Sequence, residues 1–183
     1  MFLIRGIIER RGEYMIILGI DPGYAIVGYG VIEFKNGIFS PINYGAILTK
    51  ANDNFCNRLK IIHSEISEII KKYAPNASAV EKLYFQNNHK TAIDVAQARG
   101  VTILALKQND IPIFEYTPLQ VKTTITGYGK AQKKQVMLAT QRLLKLKEIP
   151  KPDDAADALA IAVCHANSLG FQNINSYIQK ITG

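Results

Sequence analysis

Asn36-Gly37 stands between two runs of strand-forming residues, 27–34 and 38–47, and constrains the fold more than any other dipeptide in the chain. Asn and Gly both tolerate the positive φ angles that a two-residue turn between antiparallel strands demands, so the pair predicts a β-hairpin. Upstream, residues 15–20 are apolar throughout and fit a buried strand by length and composition. Three antiparallel strands therefore open the fold.

Beyond the hairpin, Phe55, Leu59, Ile62, Ile66, Ile69 and Tyr73 recur at intervals of four and three. That spacing predicts one apolar helix face, stopped by Pro75. A short strand, 77–81, a helix over 89–108 and a strand over 111–116 come next. Thr117-Pro118 offers an N-cap and a first-turn proline for a short helix. Helices over 133–146 and from Asp153 close the core. Three antiparallel strands followed by α-β alternation and closing helices predict an α/β fold, a mixed five-stranded sheet flanked by helices.

At 183 residues and 48% hydrophobic content the chain can fill one substantial core. The expected division is an extension over 1–14, a domain over 15–168 and a polar C-terminal tail over 169–183. No apolar stretch approaches the ~18 residues of a membrane span. The first fifteen residues lack the charge order and cleavage site of a signal peptide, so a cytoplasmic protein is expected. Cys56 and Cys164 are too few and too far apart for a metal knuckle, and read as reduced packing residues. The net charge of +7 points to a polyanionic partner.

Four acidic residues lie where chemistry would use them. Asp21 ends the first apolar run, just before Pro22-Gly23, and Glu81 ends the run 77–80. Asp154 and Asp157, three apart at the start of an Ala-rich helix, share a helix face. Hard divalent ions take carboxylate oxygens, and two such ions about 4 Å apart serve phosphodiester hydrolysis. Each residue also has a plainer reading. Aspartates suit helix starts as caps, and on spacing Asp153 with Asp157 serves as well as Asp154. Asp21 can be a turn former. Glu81, at the end of a buried strand, is harder to explain without a partner.

Lys122, Lys130, Lys133 and Lys134 surround Gly127 and Gly129, a pattern that fits phosphate contact or simply a solvated helix start. Tyr84 and Phe85 follow Glu81 and fit either base stacking or core packing. Arg99 reads as a backbone contact or a helix-surface ion pair. His165 lies two helical turns beyond Asp157 and reads as a surface or packing residue.

In order and spacing, the chain resembles the RuvC family of Holliday junction resolvases. The resemblance rests on Gly19-Ile-Asp-Pro-Gly23, Gly28-Tyr-Gly30, Val80-Glu-Lys-Leu-Tyr-Phe85, Gln97-Ala-Arg-Gly100, Gln120-Val-Lys122 and Asp154-Ala-Ala-Asp-Ala-Leu-Ala-Ile161. It implies a ribonuclease H-like fold and an endonuclease that resolves four-way DNA junctions by paired symmetric nicks. It also implies Mg²⁺ as cofactor, with Mn²⁺ able to substitute and two ions per site. A homodimer and a RuvA–RuvB-type branch-migration complex are the implied partners. By the resemblance, Asp21, Glu81, Asp154 and Asp157 form the metal-binding catalytic set, which selects Asp154 over Asp153. Lys122 and Lys133 become DNA contacts, with Lys130 and Lys134 beside them and Tyr84 in the stacking role. Rival expectations are a catalytically silent junction binder, a ribonuclease H-like nuclease with another nucleic-acid substrate, and a nucleotide-binding protein of the sugar-kinase and actin type. The last normally needs a second phosphate loop and a larger chain.

Overall fold

A computed structural model describes the backbone of residues 14–82 and 89–182, and side chains over 14–82 and 92–169. Its elements are β1 (Met15–Asp21), β2 (Ile26–Lys35), β3 (Ile38–Leu48), α1 (Phe55–Tyr73), β4 (Ala77–Glu81), α2 (His89–Gln108), β5 (Ile113–Tyr116), α3 (Pro118–Thr126), α4 (Lys133–Leu143) and α5 (Asp153–Thr182). The sheet order is β3-β2-β1-β4-β5. β1, β2 and β3 pair antiparallel, while β4 runs parallel to both β1 and β5. The mixed α/β fold expected from the pattern is the one observed.

Asn36 (φ 51°) and Gly37 (φ 79°) make the hairpin turn with the positive angles their sequence predicted. Thr117 caps α3 as a closed box: its hydroxyl accepts from Gln120 N at 3.1 Å, and the Gln120 side chain accepts from Thr117 N at 2.8 Å. Three expectations need adjustment. The strand expected from 111 begins at Ile113, since Pro112 offers no N–H to a ladder. The helix expected to reach 146 stops at Leu143, because the chain turns left-handed at Lys145 (φ 51°). Cys56 is exposed on α1 instead of packed, whereas Cys164 is buried. The backbone of α5 continues unbroken to Thr182, through the point where the polar tail was expected to begin.

Two apolar layers sandwich the sheet. Ile62, Ile66, Ile69 and Ile70 of α1, with Ala98, Ala105 and Leu106 of α2, pack on one face against Leu18, Ile20 and Val31. On the other face α5 lies against Ile17, Ile32 and Ala79, with Leu159, Ala160 and Val163 inside, and α3 and α4 flank it. Side chains alternate along a strand, so Asp21 shares the α5 face with Ile17 and Gly19, and Glu81 shares it with Ala79. The alternation that builds the core thus sends both strand-end carboxylates toward the helix that carries Asp154 and Asp157.

Candidate active site

The approach of α5 to the sheet is set by glycines. In the β1–β2 register, Gly19 faces Gly30 and Asp21 faces Gly28. A Cβ on Gly19 would lie 2.9 Å from the Ala162 Cβ, and one on Gly30 would lie 2.8 Å from the Leu159 Cδ2. A Cβ on Gly28 would strike the Asp154 carbonyl and stand 3.0 Å from the Asp154 Cβ. No real side chain fits in those gaps. The first turn of α5 therefore rests directly on the backbone beside Asp21. At this contact Asp154 lies against the strand, while Asp153 is exposed.

Electrostatics report the same convergence. Burial, followed by the charges of Glu81, Asp157 and Asp154, pushes the Asp21 carboxyl up to about 8. Burial also raises Glu81, with Asp157 adding to the effect and Lys122 and Lys133 opposing it. Asp157 is raised by burial, against the pull of Lys133. The Lys133 ammonium stands 3.0 Å from Asp157 and 3.5 Å from Asp153. Asp21 thus feels the charges of Glu81, Asp157 and Asp154, while Lys133 pairs with Asp157 and, together with Lys122, offsets Glu81; carboxylates held in this way mark a candidate cation site.

Among the described residues, no three acidic, histidine or cysteine side chains already close around one point as a preformed cage would. Asp157 is instead engaged by Lys133. By donor type and charge, though, the set suits a hard divalent ion, which needs only one or two carboxylates besides water and substrate oxygens.

Glu81, Lys122, Lys133 and Asp157 line a cleft of about 200 Å³ whose walls include Pro118, Val121, Val136 and Ile161. Lys122 and Lys133 thus sit where sequence placed them, beside the carboxylates. Lys130 and Lys134 are exposed and lie outside the lining of this cleft. Tyr84, along with Phe85, falls outside the described residues. Arg99 pairs with Glu115 on β5 and also donates from Nε to the Glu81 carbonyl at 3.4 Å, so it braces the strand that presents Glu81.

One supporting residue was not foreseen. Arg58 of α1 is buried with its guanidinium 3.5 Å from the centroid of the Tyr24 ring. Its Nε donates to Thr49 Oγ1 at 2.9 Å, and that hydroxyl donates to the Tyr24 carbonyl at 2.8 Å. The network pins the loop that leaves Asp21. The one available signal was an arginine within the otherwise helical 55–73 pattern, which reads equally as a solvated position.

His165 takes no part in the site. It is fully buried, stacks on Phe114 at 4.2 Å and shares a 2.7 Å hydrogen bond with the Tyr116 hydroxyl. Burial holds its imidazole down at about 4. Tyr116→Phe should strand Nδ1 and cost about 1–3 kcal/mol of stability. Urea unfolding checks that loss.

Comparison with known proteins follows the geometry. The family model described as crossover junction endodeoxyribonuclease RuvC matches residues 17–165. The chain belongs to the RuvC family. A relative from Clostridioides difficile, named crossover junction endodeoxyribonuclease RuvC, is 56% identical over 154 residues, covering 84% of this chain and 91% of the relative. One of the same name from Fusobacterium nucleatum is 56% identical over 156 residues, 85% of this chain and 82% of its own length. The structure of T. thermophilus RuvC in complex with Holliday junction substrate superposes with a TM-score of 0.79 at 35% identity, over 83% of this chain and 93% of that one. The yeast mitochondrial Holliday junction resolvase, at 13% identity and a TM-score of 0.64, shares the fold. The ribonuclease H-like architecture implied by the RuvC resemblance is thus the family's own.

Proposed function

We propose that this chain is a junction-resolving endonuclease that nicks four-way DNA in a divalent-metal-dependent reaction. The observation that carries the reading is the meeting of Asp21, Glu81, Asp154 and Asp157 at one end of the sheet in a chain of the RuvC family. The four carboxylates would hold the metal, Mg²⁺ or Mn²⁺, as two ions per site. When bound, the metal supplies Lewis acidity toward the phosphodiester and a nucleophilic water.

The chain's own groups do the rest. Lys122 and Lys133 neutralise phosphate oxygens entering the cleft, each contact adding salt-dependent affinity. The apolar walls at Val121, Val136 and Ile161 limit water around the reacting phosphate and strengthen charge interactions there. Lys133 is paired with Asp157, and would be free for phosphate where that carboxylate held metal. Lys130 and Lys134 extend the basic surface beyond the cleft, and Tyr84, three residues after Glu81 in sequence, takes the stacking role the family resemblance gives it. A symmetric homodimer would set two such sites against opposed strands, leaving nicked duplexes with 5′ phosphate and 3′ hydroxyl ends. A branch-migration motor of the RuvA–RuvB type would deliver the junction. Among the described residues no helix is long and apolar enough to cross a membrane, which supports a cytoplasmic site of action. Of the expected divisions, 15–168 acts as the nuclease domain, flanked by the 1–14 extension and the 169–183 tail.

A labelled four-way junction and a matched linear duplex, each with and without Mg²⁺, test the reading against an Asp154→Asn control. Symmetric nicks in the junction alone, lost without metal and lost in Asp154→Asn, are expected. Tight junction binding with no cutting in either Mg²⁺ or Mn²⁺ would establish a silent binder instead.

A further inference from the structure

The link between α3 and α4 holds an aromatic ring that the fold does not use. Tyr128 is 59% exposed, yet its backbone is tightly fixed. Gly127 ends α3 in the left-handed conformation (φ 75°), with its N–H on the Thr123 carbonyl at 2.8 Å. The Thr126 hydroxyl accepts from Tyr128 N at 3.2 Å, and its one proton is shared between the Lys122 carbonyl at 2.8 Å and the Tyr128 carbonyl at 3.0 Å. Ala131 N donates to the same carbonyl at 3.1 Å. Two backbone N–H bonds and a shared hydroxyl proton thus pin the backbone of a residue whose ring, among the described residues, stacks on no other aromatic.

Its surroundings indicate what would cover it. Gly129 lies against Leu119 and Thr123, so the link folds down on α3, where Leu119 is itself 62% exposed. Lys130 and Lys134 are exposed, and among the described residues neither has an ion-pair partner. The two helices joined here are those that carry Lys122 and Lys133 into the cleft. An aromatic ring on a rigid turn, interleaved with free lysines, is the pattern by which proteins engage unpaired or unstacked nucleotides. A protein partner would be expected to bring acidic groups for the lysines; a nucleic acid brings phosphates for them and a base face for the ring.

We propose that Tyr128 stacks on a nucleobase exposed at the branch point while the neighbouring lysines hold the flanking phosphates. The inference rests on the junction-resolving reading and extends it to a specific non-catalytic contact. A rigidly held ring loses little further freedom on stacking, so the contact can favour branched over continuous DNA. Continuous duplex keeps its bases stacked on one another and offers the ring no free face.

Binding of a four-way junction carrying 2-aminopurine at the branch point, measured in EDTA so that nothing is cut, tests this directly. Tyr128→Ala should weaken junction binding about tenfold, lose the change in 2-aminopurine emission and leave linear-duplex affinity as it was. Its salt dependence should match the wild type, because no phosphate contact is removed, whereas Lys130→Ala should flatten the slope by about one. Tyr128→Phe should restore binding. A Tyr128→Ala protein that binds and reports like the wild type overturns the proposal, as does a Tyr128→Phe protein as weak as the alanine variant, which would assign the effect to the hydroxyl. Thermal melting confirms that the variants are folded. If the wild type itself shows no preference for the junction, the functional reading falls, and this inference with it.

Discussion

Asp21→Asn should reduce metal-dependent cutting by roughly 10³-fold, the loss expected when a preorganised charged group is removed from a reacting centre, and should at the same time stabilise the metal-free protein. The two effects have one cause. Asp21 is half-buried among like charges, and its carboxyl is pushed up to about 8. In the unfolded chain it ionises near 3.8. Between those values the folded state binds the extra proton, so stability falls as pH rises through this window and levels off above about 8. Asparagine fills the same space with no charge to desolvate. The variant should therefore match the wild type below about pH 4 and exceed it increasingly toward pH 8.

His165 acts in the opposite sense and must be separated. Held down at about 4, it stays neutral when folded, whereas the unfolded imidazole takes a proton near 6.5. Its contribution raises stability as pH climbs from 4 to 6.5 and is then complete. The window from pH 6.5 to 8 is therefore one in which the His165 contribution no longer changes while the Asp21 carboxyl still titrates. Melting curves in EDTA across that window should fall for the wild type and stay flatter for Asp21→Asn. Mg²⁺ should raise the wild-type melting temperature most at pH 8, because a cation entering at lower pH must first displace the Asp21 proton. An Asn variant no more stable than the wild type at pH 8 would sink this electrostatic account of the cluster.

Which features were legible in the sequence depends on how local their causes are. Asn36-Gly37 fixed the hairpin because a two-residue turn is decided by the φ angles of its own residues. The Thr117 N-cap was equally legible, since its hydrogen bond spans only three residues, though the return bond from Gln120 was not read. Asp154 was not separable from Asp153 by spacing, for both occupy the first turn of α5. The choice is made across the fold, at Gly28, by a backbone contact that no pattern within the helix can express. The resemblance to the RuvC family points to Asp154 there, and in the fold it is Asp154 that lies against the strand while Asp153 is exposed. Lys133 likewise read as a phosphate ligand, and only the folded arrangement shows that it first pairs with Asp153 and Asp157. Arg58 reads as one more polar position in a helix until the β1–β2 loop is seen lying over it.

Gly28→Ala is the substitution expected to damage the site most without touching a carboxylate. The methyl group would meet the Asp154 carbonyl oxygen and stand 3.0 Å from the Asp154 Cβ, and a main-chain carbonyl cannot rotate aside as a long side chain could. Relief must come from lifting the first turn of α5 off β2, against the close packing of Ala158 and Ala162 on Gly19 one turn and two turns further on. Overpacking of this kind costs about 1–3 kcal/mol. The functional cost should be larger in proportion, since Asp154 and Asp157 both ride on that turn while Asp21 and Glu81 stay with the sheet. A displacement of about 1 Å can reduce a rate on the order of 10²-fold. The expected variant is folded, slightly less stable, able to bind junction DNA through its lysines and nearly inactive at ordinary Mg²⁺. Raising Mg²⁺ or supplying Mn²⁺ should recover part of the rate in Gly28→Ala, because the ligands are present but misplaced, and none in Asp21→Asn at matched conditions, because there a charged ligand is missing. Equal rescue of both variants would mean that the glycine contact does not set the spacing of the carboxylates.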